Sequence, residues 1–203
     1  MPKVKVPRKS TSVDMTAMTD VAFLLLTFFM LATKFRPDEP VLVDTPSSIS
    51  EIKLPESGVI LLTIDKKDRV FFTVDGQQIR EEALRKMGEK YSVAFTPNQM
   101  KEFSVMSAFG VPIAQLPQLL DLKSEERTKI EQPGIPLDSL NNQLGDWVWL
   151  TRVASKQVAN KDLRIAVKGD RESNYPVIKR LIAVIQEKKV NRFNFITSME
   201  KAE

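Results

Sequence analysis

The sequence predicts a single-pass membrane helix joined to a small α+β domain, with helices packed on one face of a mixed β-sheet. Three observations carry this. A long apolar run, Val21-Ala22-Phe23-Leu24-Leu25-Leu26-Thr27-Phe28-Phe29-Met30-Leu31-Ala32-Thr33, stands near the N-terminus. A stretch rich in Pro and Ser follows it. Beyond Val59 the apolar residues recur with a period of two, then of 3.6, in the order ββα…βαβ, which suits a sheet layered with helices.

The helix is justified first by length. Val13 to Thr33 is 21 residues interrupted by two acids only, Asp14 and Asp20, and makes roughly 31 Å of helix at 1.5 Å per residue. A bilayer core is about 30 Å thick, so 13–35 is assigned as the transmembrane helix. A signal-peptide core is the duller reading, but the polar, acidic stretch Ser10 to Thr19 separates the basic N-terminus from the run, and no convincing small-x-small cleavage site follows it. A buried helix of a soluble protein would be unusual with such uniformly bulky residues beside a basic terminus. Lys3, Lys5, Arg8 and Lys9 precede the helix; Lys34 and Arg36 follow it, with Asp38 and Glu39 just beyond. The basic bias makes 1–12 a cytoplasmic N-terminus and puts the rest of the chain across the membrane.

Asp20 lies within this span. A carboxylate there costs about 2.5–3.5 kcal/mol on insertion scales and marks a functional site by default. Thr16 and Thr27, four residues before and seven after, share its face, so a narrow polar stripe runs down an apolar helix. One reading places Asp20 among the lipid headgroups with the Thr hydroxyls bonded to their own backbone. The other makes it a protonatable acid facing a polar interface, a stripe that needs partner helices.

Residues 36–58 have linker composition, with Pro37, Pro40, Pro46 and Pro55 forbidding a continuous helix. Two apolar beads inside it, Val41-Leu42-Val43 and Ile52-Lys53-Leu54, could pair with a sheet edge. The folded domain is assigned to 59–198. Val59 to Ile64 and Arg69 to Val74 form a hairpin around a polar turn, and Ile79 to Lys90 has helical spacing. Leu163 to Val167 is a strand, Gly169-Asp170 a turn, Tyr175 to Lys189 an amphipathic helix with Val177, Ile178, Leu181, Ile182 and Ile185 inward, and Val190 to Ile196 holds a last strand. Between the halves, about 91–161 is too long for a structureless loop and reads as a partly helical insertion, with helix-prone pieces around Asn98 to Met106, Ile113 to Leu120 and Leu137 to Ala154. Trp147 and Trp149 lie on it and read as packing residues, an exposed docking surface being the alternative.

Composition narrows function. The chain has no Cys and no His, which removes disulfides, the usual zinc ligands and His-based triads. Its net charge of +4 is scattered among acids, without the basic stripe and interleaved aromatics of a nucleic-acid binder. Lys168-Gly169-Asp170 has one glycine and is no phosphate cradle. An enzyme is not expected, because no nucleophile–base set is visible.

Thr19-Asp20-Val21-Ala22-Phe23-Leu24-Leu25-Leu26-Thr27-Phe28-Phe29-Met30-Leu31-Ala32 resembles the membrane helix of the ExbD/TolR biopolymer transport family, with its Asp-Val pair, Leu-rich run and Phe-Met near the far end. Asp20 matches that family's essential membrane aspartate. Thr16 is kept in the approach, where Ala17 stands at the family's Pro. Ile52-Lys53-Leu54-Pro55 is similar to the hydrophobic-x-Leu-Pro element of the family's periplasmic linker, and Leu163 to Ile196 resembles the close of its periplasmic domain. Residues 91–161 have no counterpart in its short members. The resemblance implies a bacterial inner-membrane motor subunit that uses no cofactor other than protons, with Asp20 as proton carrier, Thr16 and Thr27 as its polar face, and Ile52, Leu54 and Pro55 as a linker motif for partner or self interaction. It implies a homodimer whose helices sit inside a pentameric ExbB/TolQ-like multi-span protein, driven by the proton motive force and acting on a TonB-like protein or on the cell wall, peptidoglycan. A membrane-tethered periplasmic cell-wall-binding or scaffold module is the alternative.

Overall fold

The computed structural model describes residues 15–32, 41, 43–45, 47–48, 58–127, 129–138, 141–190, 192–196 and 198–199. The chain divides into two units, Met1–Pro37 and Asp38–Glu203.

The first unit holds helix α1, Met15–Ala32, within the expected 13–35. Leucine, Met and Ala favour helix, and no Gly or Pro interrupts it. None of its residues is buried, so its apolar residues face outward all round. It is long and apolar enough to cross a membrane.

The second unit is a layered α+β domain. Its elements run β1 (Ser47–Ser48), β2 (Val59–Ile64), β3 (Val70–Val74), α2 (Gln77–Tyr91), α3 (Pro97–Val105), α4 (Leu116–Asp121), α5 (Ser124–Arg127), α6 (Gln143–Ala159), β4 (Arg164–Gly169), α7 (Tyr175–Glu187), β5 (Phe193–Ile196) and β6 (Ser198–Met199). The main sheet has the order β3-β2-β4-β5. β2 and β3 are the expected antiparallel hairpin; β2–β4 and β4–β5 are parallel, with Ile60 opposite Ile165 and Ile165 opposite Phe193. The sheet is mixed, as expected, because the chain leaves it after the hairpin and returns through helices.

Period two decides the faces. Ile60, Leu62 and Ile64 of β2, Val70, Phe72 and Val74 of β3, and Ile165 and Val167 of β4 enter one core with Ala83, Leu84 and Met87 of α2, Leu144, Trp147 and Val148 of α6, and Leu181 and Ile185 of α7. Val177 and Ile178 pack at its margin.

The insertion turns out to be half of that core. Trp147 is completely buried and meets the rings of Phe72, Phe103 and Phe109 at centroid distances of 5.8, 5.8 and 4.9 Å. Phe109 exchanges backbone hydrogen bonds with Phe72, and the Ile135 N–H donates to the Val70 carbonyl at 2.9 Å, so insertion backbone covers the outer edge of β3. Gly110 is required there: a Cβ would come within 2.5 Å of the Phe71 ring. A half-buried arginine and a buried one complete the attachment. Arg80 donates to the carbonyls of Val74, Ser104 and Met106. Arg127 donates to those of Leu119, Leu120 and Leu122, carbonyls left over at the end of α4.

Helix α6 begins at Gln143 rather than near Leu137, and ends at Ala159. The chain turns there instead, the Asn141 N–H donating to the Asp138 carbonyl at 3.0 Å, and the Asn142 side chain caps the helix by accepting from the Gly145 N–H at 2.9 Å.

Candidate functional site

The polar stripe on α1 is built by helical spacing alone. Thr16 lies about 6 Å before Asp20 along the axis and Thr27 about 10.5 Å after it, all within roughly 40° of one line. From Asp20 to Ala32 is about 18 Å, so the carboxylate stands nearer the N-terminal end of the helix. Asp20 is exposed, and no hydrogen bond or ion pair to it is found among the described residues. The Thr27 hydroxyl donates to the Leu24 carbonyl at 3.0 Å, which leaves its lone pairs outward as acceptors. Thr19, which the sequence did not single out, spends its hydroxyl on the carbonyls of Thr16 and Met15, at 2.9 and 3.0 Å. This local back-bonding quiets the hydroxyls within the helix and leaves the carboxylate as the strongest polar group on its surface.

Of the linker motif, Ile52, Leu54 and Pro55 lie outside the described residues. The described linker residues do dock on the domain, at another place. The Asp44 N–H donates to the Asp170 carboxylate at 3.1 Å, and the Asp44 carbonyl accepts from the Arg171 N–H at 2.8 Å. Asp170 is buried, and its other oxygen accepts from the Glu172 N–H at 2.9 Å. Val41 lines an open cleft with Arg69, Phe71 and Lys129 to Gln132, the last four belonging to the insertion. Three residues beyond Asp44, β1 pairs in parallel with β6, Ser47 opposite Ser198. The pairing therefore falls on Ser47–Ser48, between the two apolar beads. Of these beads, Leu42 and the whole second bead lie outside the described residues. Asp170 was legible as a turn residue; its role in holding the linker had no local signal, because the partner is 126 positions away.

A third polar centre joins three helix ends. Asp146, buried on α6, accepts from the Tyr91 hydroxyl at 2.8 Å and from Lys188 at 3.1 Å, and pairs with Lys90. Burial opposes its ionisation, but the hydrogen bonds from Lys90, Tyr91 and Lys188 outweigh burial and hold its carboxyl below the usual carboxylate range. Burial, then the Asp146 hydrogen bond and charge, push the Tyr91 hydroxyl well above its ordinary value. The geometry is that of a clasp between α2, α6 and α7. It is half-closed to solvent and offers no open coordination position. Among the described residues no group of three or more Asp or Glu could hold a metal ion.

The only site in the described chain that combines a carboxylate with an apolar helix surface is thus Asp20, in the unit separate from the folded domain. Comparison with known proteins points the same way. The family model described as biopolymer transport protein ExbD/TolR matches residues 7–200. No curated protein and no solved structure matches the chain. With nearly its whole length matched, from the basic N-terminus through Asp20 to β6, the chain belongs to the ExbD/TolR family of biopolymer transport proteins.

Proposed function

We propose that this protein is the proton-carrying subunit of an inner-membrane motor driven by the proton motive force, which energises TonB-dependent transport through the outer membrane. Asp20 carries the reading: a carboxylate on the polar face of a helix otherwise apolar all round. In this reading α1 crosses the membrane once, the N-terminus is cytoplasmic and the α+β domain periplasmic. Two copies of α1 sit inside a pentameric ExbB/TolQ-like protein, because a lone helix cannot satisfy the Thr16–Asp20–Thr27 stripe.

The physics is balanced at the right scale. Ionised, Asp20 prefers a wet or hydrogen-bonding surface; protonated, it tolerates a dry one. Moving the ionised form into apolar surroundings costs about 2.5–3.5 kcal/mol, and one charge crossing the membrane potential releases about 2.3 kcal/mol per 100 mV. Passage of one proton across about 110–150 mV therefore matches that cost, and so can switch which neighbour Asp20 prefers and step α1 against its partner. Thr27, with its proton committed to Leu24, presents its lone pairs to a neighbouring helix further along the same face. The domain and its docked linker then pass motion to a TonB-like protein or to the cell wall.

Replacing Met15–Ala32 by an unrelated apolar anchor tests this reading. Energised transport should vanish while the domain stays folded and membrane-bound. Undiminished transport would make α1 a mere tether and leave a periplasmic binding or scaffold module.

A further inference from the structure

Trp149 is left over by both the fold and the proposed motor. It lies on α6 two residues from Trp147, on the opposite side of the helix, and is 46% exposed where Trp147 is 0% exposed. One turn on, at three and four residues, come Arg152 and Val153, both half-buried and the Arg152 Nε sealed without a partner among the described residues; two turns on, at seven, comes the exposed Lys156. One turn back, Asp146 draws in Lys90 from the end of α2 and Lys188 from the end of α7. No carboxylate pairs with Arg152 among the described residues, and Lys156 has one partner, Asp162, in an ion pair 61% and 71% exposed that contributes little. Arg152 and Lys156 thus share the side of the helix that carries one exposed indole, against Asp162, while Lys90 and Lys188 are held by Asp146.

We infer that this face of α6 docks on a lipid surface bearing anionic headgroups. Tryptophan is enriched at bilayer interfaces, where its ring is apolar and its N–H wet, and each Lys or Arg near an anionic leaflet adds roughly a fivefold attraction. A freely diffusing protein partner needs about 1,000 Å² of buried surface, several times what one aromatic side chain supplies. A bilayer is different, because the chain's own anchor holds the domain beside it. The 26 residues between Ala32 and Val59 cannot extend beyond roughly 90 Å at about 3.5 Å each, so the leaflet is always at high effective concentration and weak contacts suffice. The inference rests on α1 spanning a bilayer, as proposed above.

Both tryptophans of the chain are in α6, and one of them is sealed from a soluble quencher, so acrylamide quenching reads Trp149 over the constant emission of Trp147. The full chain is reconstituted into nanodiscs of pure phosphatidylcholine, or of phosphatidylcholine with a third phosphatidylglycerol, and quenched with acrylamide. In the anionic discs quenching should fall at least about twofold and emission should shift to the blue. High salt should abolish the effect, as screening requires. Arg152→Gln with Lys156→Gln should lower the docked-to-undocked ratio by roughly 25-fold, fivefold per charge. Trp149→Phe, which keeps the fold, should leave a signal indifferent to lipid. Equal quenching in both discs, or protection that appears only when an acidic protein is added, overturns the inference. A chain that fails to enter the discs at all contradicts the membrane span instead.

Discussion

Asp20 and Asp146 are two carboxylates with opposite settings. Asp146 is surrounded by donors, and its charge is fixed by Lys90, Lys188 and Tyr91. Asp20 stands on an apolar helix with no partner among the described residues, which leaves its charge to be set by whatever the helix meets. Fixed charge suits a clasp and variable charge suits a carrier. The clasp has a pH signature. A carboxyl held below its unfolded value adds stability above about pH 4, and that stability is lost as pH falls through the folded value. Tyr91 is shifted upward, so its contribution is complete below its unfolded value of about 10 and lost as pH rises through the folded one. Asp146→Asn should therefore cost about 1–2 kcal/mol at neutral pH and flatten the acid limb of a denaturation series, relative to wild type. An unchanged acid limb would show that other carboxylates control it.

At the scale of elements, α6 decides what the insertion is. Residues two apart on a helix point roughly 200° from one another, so Trp147 and Trp149 cannot both be inside. Trp147→Ala removes the ring that Phe72, Phe103 and Phe109 enclose and should cost about 3–5 kcal/mol, whereas Trp149→Ala should cost below about 1 kcal/mol; urea denaturation separates them. Similar losses would place both rings in the core. The linker makes a second test. Asp170→Ala strips the acceptor from the Asp44 and Glu172 N–H groups, and cleavage near residues 43–45 by a broad protease should quicken several-fold without loss of the domain fold.

These elements also show what the sequence could convey. The β2–β3 hairpin, α2 and α7 were legible because each is a local period bounded by a local turn. β1 was not, since Ser47 and Ser48 carry little strand preference and pair only because Asp44 is already held by Asp170. The early start expected for α6 failed because the chain turns between Asp138 and Asn141 and the Asn142 side chain caps the helix just after, a local polar preference that the apolar spacing from Leu137 did not convey. The helix that carries Thr16, Asp20 and Thr27 was legible, because it depends on composition and spacing within one segment.

For the whole molecule, the two units divide the work. The domain is a layered core whose insertion closes the β3 edge with backbone hydrogen bonds; β5 is the main sheet's other edge, and β1 pairs with β6 in a separate two-stranded sheet. The helix contributes a single ionisable group between Met15 and Ala32, so the account of the motor stands or falls on one side chain. The direct measurement is proton flux into liposomes that hold this chain assembled with its multi-span partner, under an imposed potential, for wild type, Asp20→Asn and Asp20→Glu. The account predicts flux in the wild type, none with Asn although the complex still co-purifies, and partial recovery with Glu. Wild-type flux from the Asn variant would contradict it.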